Sequence, residues 1–211
     1  MEPAVRKIDA LPPTFLKIVL RVRVAAEKAQ EEARLADDHG ANAQRIVIAN
    51  GTDVREGPFM QGTYIGQWGP NLPNGYGIGH DNGDTYVGQF RNGDFSGYGT
   101  YTFSESASTL HYRGRWWRDV RQGHAVMTWK SGSVLAAQFS EHDIHGYAVL
   151  TRSDGVIYEG RYEDNLRWGQ GVEWSPEGVP RFGRWEDQEL VHAGVGGTIT
   201  HPPHTRRAHS Y

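Results

Sequence analysis

The chain has 211 residues, a net charge of −3 and no cysteine. That length holds one domain or two small ones, and the charge gives no footing to a nucleic-acid binder. Disulfides, thiolate metal sites, prenylation and palmitoylation are excluded, and no run of about 18 apolar residues is present to span a membrane.

Residues 1–43 read as an N-terminal extension. Met1–Pro13 is irregular and ends in Pro12-Pro13. Thr14 is an N-cap for a helix predicted over 14–38, with Gly40 as its stop. Its apolar stripe is Phe15, Ile18, Val19, Val22, Ala26, Ala29 and Ala33, at i, i+3, i+4 spacing. Such a helix is expected to dock on the array that follows or to cover its first edge, because uncovered edges invite aggregation. A partner-binding or dimerisation helix is the functional alternative. A membrane-surface helix is disfavoured by Glu31 and Glu32 on the polar side. Lys17, Arg21 and Arg23 break the apolar run from Phe15 to Val24, which argues against a signal-peptide core. Glu2 in place of glycine excludes N-myristoylation.

Arg45–Ala49 has strand composition. With a turn at Asn50-Gly51 and an extended piece from Asp53 to Phe59, it predicts a degenerate hairpin opening a sheet. Asn50-Gly51-Thr52 also fits a glycosylation sequon, but the turn is the stronger reading.

From about residue 62 one pattern returns: aromatic–x–Gly–x–aromatic. It reads Tyr64-Ile65-Gly66-Gln67-Trp68, Tyr86-Val87-Gly88-Gln89-Phe90 and Tyr112-Arg113-Gly114-Arg115-Trp116. A weakened copy, Leu135-Ala136-Ala137-Gln138-Phe139, is followed by Tyr158-Glu159-Gly160-Arg161-Tyr162. Arg181-Phe182-Gly183-Arg184-Trp185 closes the series as a half-finished terminal copy. Nine residues after each of the first five central positions comes Gly–x–Gly or Gly–x–Ala, at Gly75, Gly97, Gly123, Gly146 and Gly169. The full period runs 22, 26, 23, 23, 23, and all irregularity falls between the second signal and the next copy. A fixed period in the twenties marks a stacked repeat array.

Each copy is expected to be a β-hairpin. Alternation places Tyr64, Gly66 and Trp68 on one face, and a glycine between two rings leaves a gap for a neighbouring hairpin's aromatic. The return strands keep phase: Gly97, Gly99, Tyr101 and Phe103 share a face, as do Gly123, Ala125, Met127 and Trp129. Turns are predicted at Asn82-Gly83, Asn92-Gly93, Ser131-Gly132, Asp154-Gly155 and Glu177-Gly178. The array is assigned to 44–191, and 192–211 is predicted to be a disordered tail.

This series resembles MORN repeats over roughly Gly62 to Glu189. The resemblance implies a mainly β fold: an elongated, single-layer, twisted antiparallel sheet of stacked hairpins, here with an N-terminal α-helix. It also implies an aromatic-lined groove. The rings expected to bind a partner there are Tyr64, Trp68, Tyr86, Phe90, Tyr112, Trp116, Tyr158 and Tyr162. Gly66, Gly88, Gly114, Gly160 and Gly183 are the structural repeat glycines.

No catalytic constellation stands out. Hydrolase elbow, P-loop, zinc-protease and Rossmann patterns are missing, and periodicity explains the glycines. His142 and His145 fall at a predicted hairpin turn, and His201 and His204 in the tail are at most a loose metal pair. Asp84, Asp94, Asp119, Asp143 and Asp164 recur at hairpin ends, where aspartate serves local hydrogen bonding. MORN-containing enzymes carry a separate catalytic domain, for which the flanks here are too short. The expected function is therefore a non-catalytic interaction scaffold that holds a protein partner, with no cofactor and no metal.

Two alternatives stand beside it. MORN repeats are linked with membrane junctions and phospholipid, and Arg113, Arg115, Arg118 and Arg121 form a basic run for an anionic phospholipid surface. Leu11–Leu20 is similar to the opening of an F-box, which implies a ubiquitin-ligase adaptor, although the family's later helices are missing. Repeat sheets also dimerise through their ends, so a homodimer is a further partner. A cytoplasmic setting, with membrane or cytoskeletal association, follows from the same reading.

Overall fold

The computed structural model describes Ile8, residues 11–49 and residues 53–193. Helix α1 (Pro13–Ala49) comes first, then strands β1 (Val54–Phe59), β2 (Gly62–Trp68), β3 (Pro73–Asp81) and β4 (Asp84–Arg91). There follow β5 (Asp94–Thr102), β6 (Thr109–Trp117), β7 (Val120–Trp129), β8 (Val134–Ser140) and β9 (Asp143–Thr151). The last are β10 (Ile157–Glu163), β11 (Leu166–Trp174), β12 (Pro180–Glu186) and β13 (Glu189–Ala193). All pair in sequence order into one open antiparallel sheet with β1 and β13 at its edges.

The expected stacked hairpins are therefore present, and register explains the repeat. Gly66 faces Gly77, which faces Gly88, then Gly99, Gly114 and Ala125. The row continues through Ala137, Ala148, Gly160, Gly171, Gly183 and Ala193. A seam of glycine and alanine thus crosses the sheet from β2 to β13. Of the closing copy only Gly183–Glu186 pair with the five-residue β13, as expected of a half-finished terminal copy.

Beside the seam every copy bulges. Gly88 pairs with Gly99 but Phe90 pairs with Phe95, so the return strand carries two residues more than its partner. In the first five copies the slip is even, which keeps every side chain on its face. The first glycine of each Gly–x–Gly sits in this bulge at positive φ: 111° at Gly75, 66° at Gly97 and 73° at Gly169. Gln67 and Gln89 span it, their Oε1 atoms accepting from Tyr76 N (2.9 Å) and Tyr98 N (3.2 Å). The predicted turns at residues 82–83, 92–93, 131–132, 154–155 and 177–178 all form.

Helix α1 lies flat on one face of the sheet. It runs against the strand order. Phe15 packs on Phe182 of β12, ring centroids 4.9 Å apart. Ala26, Ala29 and Ala33 meet Val126, Ala136 and Val149 of β7–β9. His39 reaches Tyr76 of β3 and Tyr98 of β5. Ion pairs fix the register: Arg23 with buried Glu159 at 3.0 Å, and Asp37 with Arg113 at 3.3 Å. Glu159 also accepts from Trp174 Nε1 at 2.6 Å. The docked-helix expectation holds, on the face rather than on the first edge.

The helix is longer than predicted. Gly40 does not stop it. Gly40 is buried against Val87, and tertiary contact outweighs a propensity deficit of about 1 kcal/mol. Arg45–Ala49 is helical, not a strand, and β1 pairs with β2 instead. The division at 43/44 accordingly falls inside the helix. Leu11, Phe15 and Val19, the core of the F-box-like stretch, are buried against Val172 and Trp174 of the chain's own sheet. The Asn50-Gly51 turn and the tail from 194, with His201 and His204, lie outside the described residues.

Candidate functional site

The face opposite α1 carries the rings. Tyr64, Tyr86, Tyr112 and Tyr158 begin their copies, and each lies down along its own strand. The Tyr64 hydroxyl donates to Gln67 O at 2.8 Å, Tyr86 to Gln89 O and Tyr112 to Arg115 O at 3.0 Å, and Tyr158 to Arg161 O at 3.2 Å. Those carbonyls sit at the bulge, where the ladder leaves them free for a side-chain donor. Burial raises the pKa of all four hydroxyls, so they remain donors.

The gap above the seam is therefore filled by a copy's own tyrosine, not by a neighbour's ring. A Cβ at Gly66 would stand 2.5 Å from the Tyr64 hydroxyl, and one at Gly171 would stand 2.8 Å from Tyr158 Cζ. Contact between copies runs edge-on from each tyrosine to the next copy's second ring. Tyr64–Phe90, Tyr86–Trp116, Tyr112–Phe139 and Tyr158–Trp185 have centroids 4.7, 5.7, 5.2 and 5.2 Å apart. The fourth copy breaks the ladder. Leu135 cannot cover the seam, and the methyls of Ala137 and Ala148, both fully buried, take the space.

This packing decides which rings a partner can touch. Tyr64, Tyr86, Phe90, Tyr112, Trp116, Tyr158 and Tyr162 are each at most 4% exposed. They bury one another, and that corrects the expectation that they line the groove. Trp68 is half-buried; its Nε1 donates to Arg55 O at 2.8 Å and the Arg55 guanidinium lies over its ring at 4.8 Å. Accessible edges belong instead to Tyr101, Phe103 and Trp129, which pack round the buried cluster. Their strand phase was readable in the sequence; their exposure depends on which ring lies over the seam.

Two clefts open on this face. One, of about 460 Å³, has Phe59, Met60, Trp68, Leu72 and Asp94 in its wall. Met60 and Leu72 are 60% and 51% exposed. The other, of about 280 Å³, lies among Phe95, Tyr101, Phe103, Trp116, Arg121 and His142. Asp119 lines both, so they adjoin. Its Oδ1 accepts from Phe95 N at 2.7 Å, and burial raises its carboxyl above the usual range.

The other sequence candidates separate. Asp84 accepts from the Tyr101 hydroxyl at 2.5 Å and from Ser104 N at 2.6 Å; Asp143 accepts from Asn165 Nδ2 at 2.5 Å. These are hairpin-to-hairpin links. His142 occupies the β8–β9 turn at φ 76°, and His145 faces Asp164 at 3.6 Å. Among the described residues no three of His, Asp and Glu gather as a metal site, and no helix is long and apolar enough to cross a membrane.

The four arginines do not share a patch. Arg113 pairs with Asp37 under the helix, and the charge of Arg115, exposed, acts on the Glu32 carboxyl against the effect of its burial. Arg118 stands at a turn beside Trp117, its guanidinium 5.6 Å from the ring centroid. Arg121 lies on the opposite face over Tyr112 and Phe139, each at 5.7 Å.

Comparison with known proteins matches the repeats directly. The pattern described as MORN repeat fits residues 64–78, 86–106, 112–134, 137–157 and 158–179. Alsin of Homo sapiens is 32% identical over 97 residues, covering 44% of this chain and 6% of that protein. Alsin of Mus musculus gives the same identity and coverage. The chain thus spans a small fraction of the length of these curated relatives.

Proposed function

The chain belongs to the MORN-repeat family, with five repeats between residues 64 and 179, and from that premise we propose that it is a non-catalytic scaffold. Its ring-bearing face holds a protein partner in the two adjoining clefts. The observation that carries this reading is the contrast between faces. Helix α1 occupies one, while the other keeps Met60, Leu72, Tyr101, Phe103 and Trp129 at least partly open beside rigidly packed rings. Aromatic and large apolar groups on a stiff support are the usual anchors of interfaces. The non-catalytic part rests on the acids and histidines, which serve hairpin links and turns.

The test is selection of binding peptides from a random library on the immobilised full chain. Phe103→Ser should abolish binding of the selected peptides, and Leu20→Ser on the outer side of α1 should leave it unchanged. The reverse result would move the site to the helix.

The phospholipid alternative draws less support, because its four arginines lie on different faces and Arg113 is paired. The F-box alternative needs Phe15 and Val19, which pack at home. A homodimer would use the edges β1 and β13, which are unpaired among the described residues. Gel filtration with light scattering at increasing concentration tests for it.

A further inference from the structure

Arg121 and Arg167 occupy the same position in two copies of the repeat. Each faces the second ring of its copy, Trp116↔Arg121 and Tyr162↔Arg167. Each lies over the copy's tyrosine, Arg121 at 5.7 Å from Tyr112 and Arg167 at 4.5 Å from Tyr158. Their charges are handled differently. Six residues on, Arg167 meets Glu173, with Nη1–Oε2 at 2.7 Å. The matching residue after Arg121 is Met127, buried in the ring cluster. Among the described residues Arg121 therefore has no carboxylate within 4 Å.

The surroundings of Arg121 point to what is missing. It lines the cleft of about 280 Å³ with Phe95, Tyr101, Phe103 and Trp116. Titratable neighbours are Asp119 and His142 at the cleft and Asp143 on β9. Asp119 is bonded to Phe95 N, and Asp143 to Asn165. Burial lowers the pKa of Arg121, against the opposing pull of Tyr112 and Asp143. A half-buried guanidinium among rings is suited to a carboxylate that arrives with an apolar neighbour.

We propose that Arg121 is an anion subsite in the ring-lined cleft, reading an acidic side chain of the partner peptide next to an aromatic residue. In copy five the chain supplies that acid itself as Glu173; in copy three the partner supplies it. The proposal rests on the scaffold reading of this face.

Two probes that differ in one charge test it: acetyl-Trp-Glu-amide and acetyl-Trp-Gln-amide, titrated into the full chain and followed by NMR shifts. The Glu probe should bind at least fivefold more tightly. Arg121→Gln should remove that difference, and Arg121→Lys should keep part of it. Equal binding of both probes to the wild-type chain would overturn the subsite while leaving the ring-lined cleft intact. No shift with either probe would overturn both. The wild-type comparison needs no variant, so a poorly folding Arg121→Gln does not blunt the test.

Discussion

The ring of Tyr158 lies over Gly171 on the neighbouring strand, with no room for a Cβ between them. Gly171 has no positive φ, so its glycine answers to space alone. Gly171→Ala should destabilise the chain by about 1–3 kcal/mol, the usual cost of overpacking. The check is the urea midpoint at constant slope.

The fourth copy gives the converse. Leu135 stands where copies one, two, three and five have tyrosine, Ala137 where those copies have glycine, and Ala148 where copies one, two and five have glycine and copy three has Ala125. Leu135→Tyr alone should be destabilising by a similar amount, about 1–3 kcal/mol. Combined with Ala137→Gly and Ala148→Gly it should regain much of that loss. Additive penalties in the triple variant would show that the ring and the methyls do not compete.

Ala29 is fully buried between α1 and the sheet. Ala29→Leu should therefore cost about 1–3 kcal/mol by overpacking, whereas Val24→Leu, at an exposed position, should be near neutral. Thermal melts of the two variants side by side make the comparison.

Arg23 reaches Glu159, which is 1% exposed. Arg23→Met keeps the apolar stem and removes the charge-assisted hydrogen bond. The expected loss is about 1.5–3 kcal/mol, measured by denaturant titration. Glu159 stays bonded to Trp174, which limits the damage.

Acid should loosen the helix face. His39, His111 and His124 lie on that side, and burial holds each below the ordinary value of 6.5. The unfolded chain then binds protons first as pH falls through 6.5, so stability is full above that pH and drops below it. Glu32 acts in a lower window and in the other direction. Burial raises its carboxyl above 4.5, so its contribution is present below 4.5 and is lost as pH rises through the raised value. His124 and Glu32 approach to 3.7 Å, and burial disfavours the charged form of both, holding the imidazole below and the carboxyl above its ordinary value. The denaturation midpoint should fall between about pH 7.5 and 5.5, and His124→Gln should flatten that slope. An unchanged slope in the variant would remove His124 from the account.

The repeat period, the hairpins, their turns and the docked helix were all legible, because each is written in local spacing. Gly40 misled because a glycine favours other states locally, but the sheet beneath holds it in the helix. The β-branched run in Arg45–Ala49 favours a strand locally, yet it continues the helix with Ile48 82% exposed. The binding rings were misread because alternation gives a side chain's face and not its posture. Tyr64 and Tyr86 share a face with Tyr101, yet they lie flat and Tyr101 does not. Only the hydroxyl bonds at the bulge distinguish them, and those need the return strand in place.

The long helix sets a gauge for the array. It begins beside β12 and reaches β3, so most hairpins are tallied against a single rod. One more hairpin would widen the sheet by about 10 Å, which a helix matches with about six residues. Duplication of a repeat alone would leave Phe15 or His39 off its seat. Growth of this protein is thus a coordinated event, in which the strand stack and its crossbar must lengthen together.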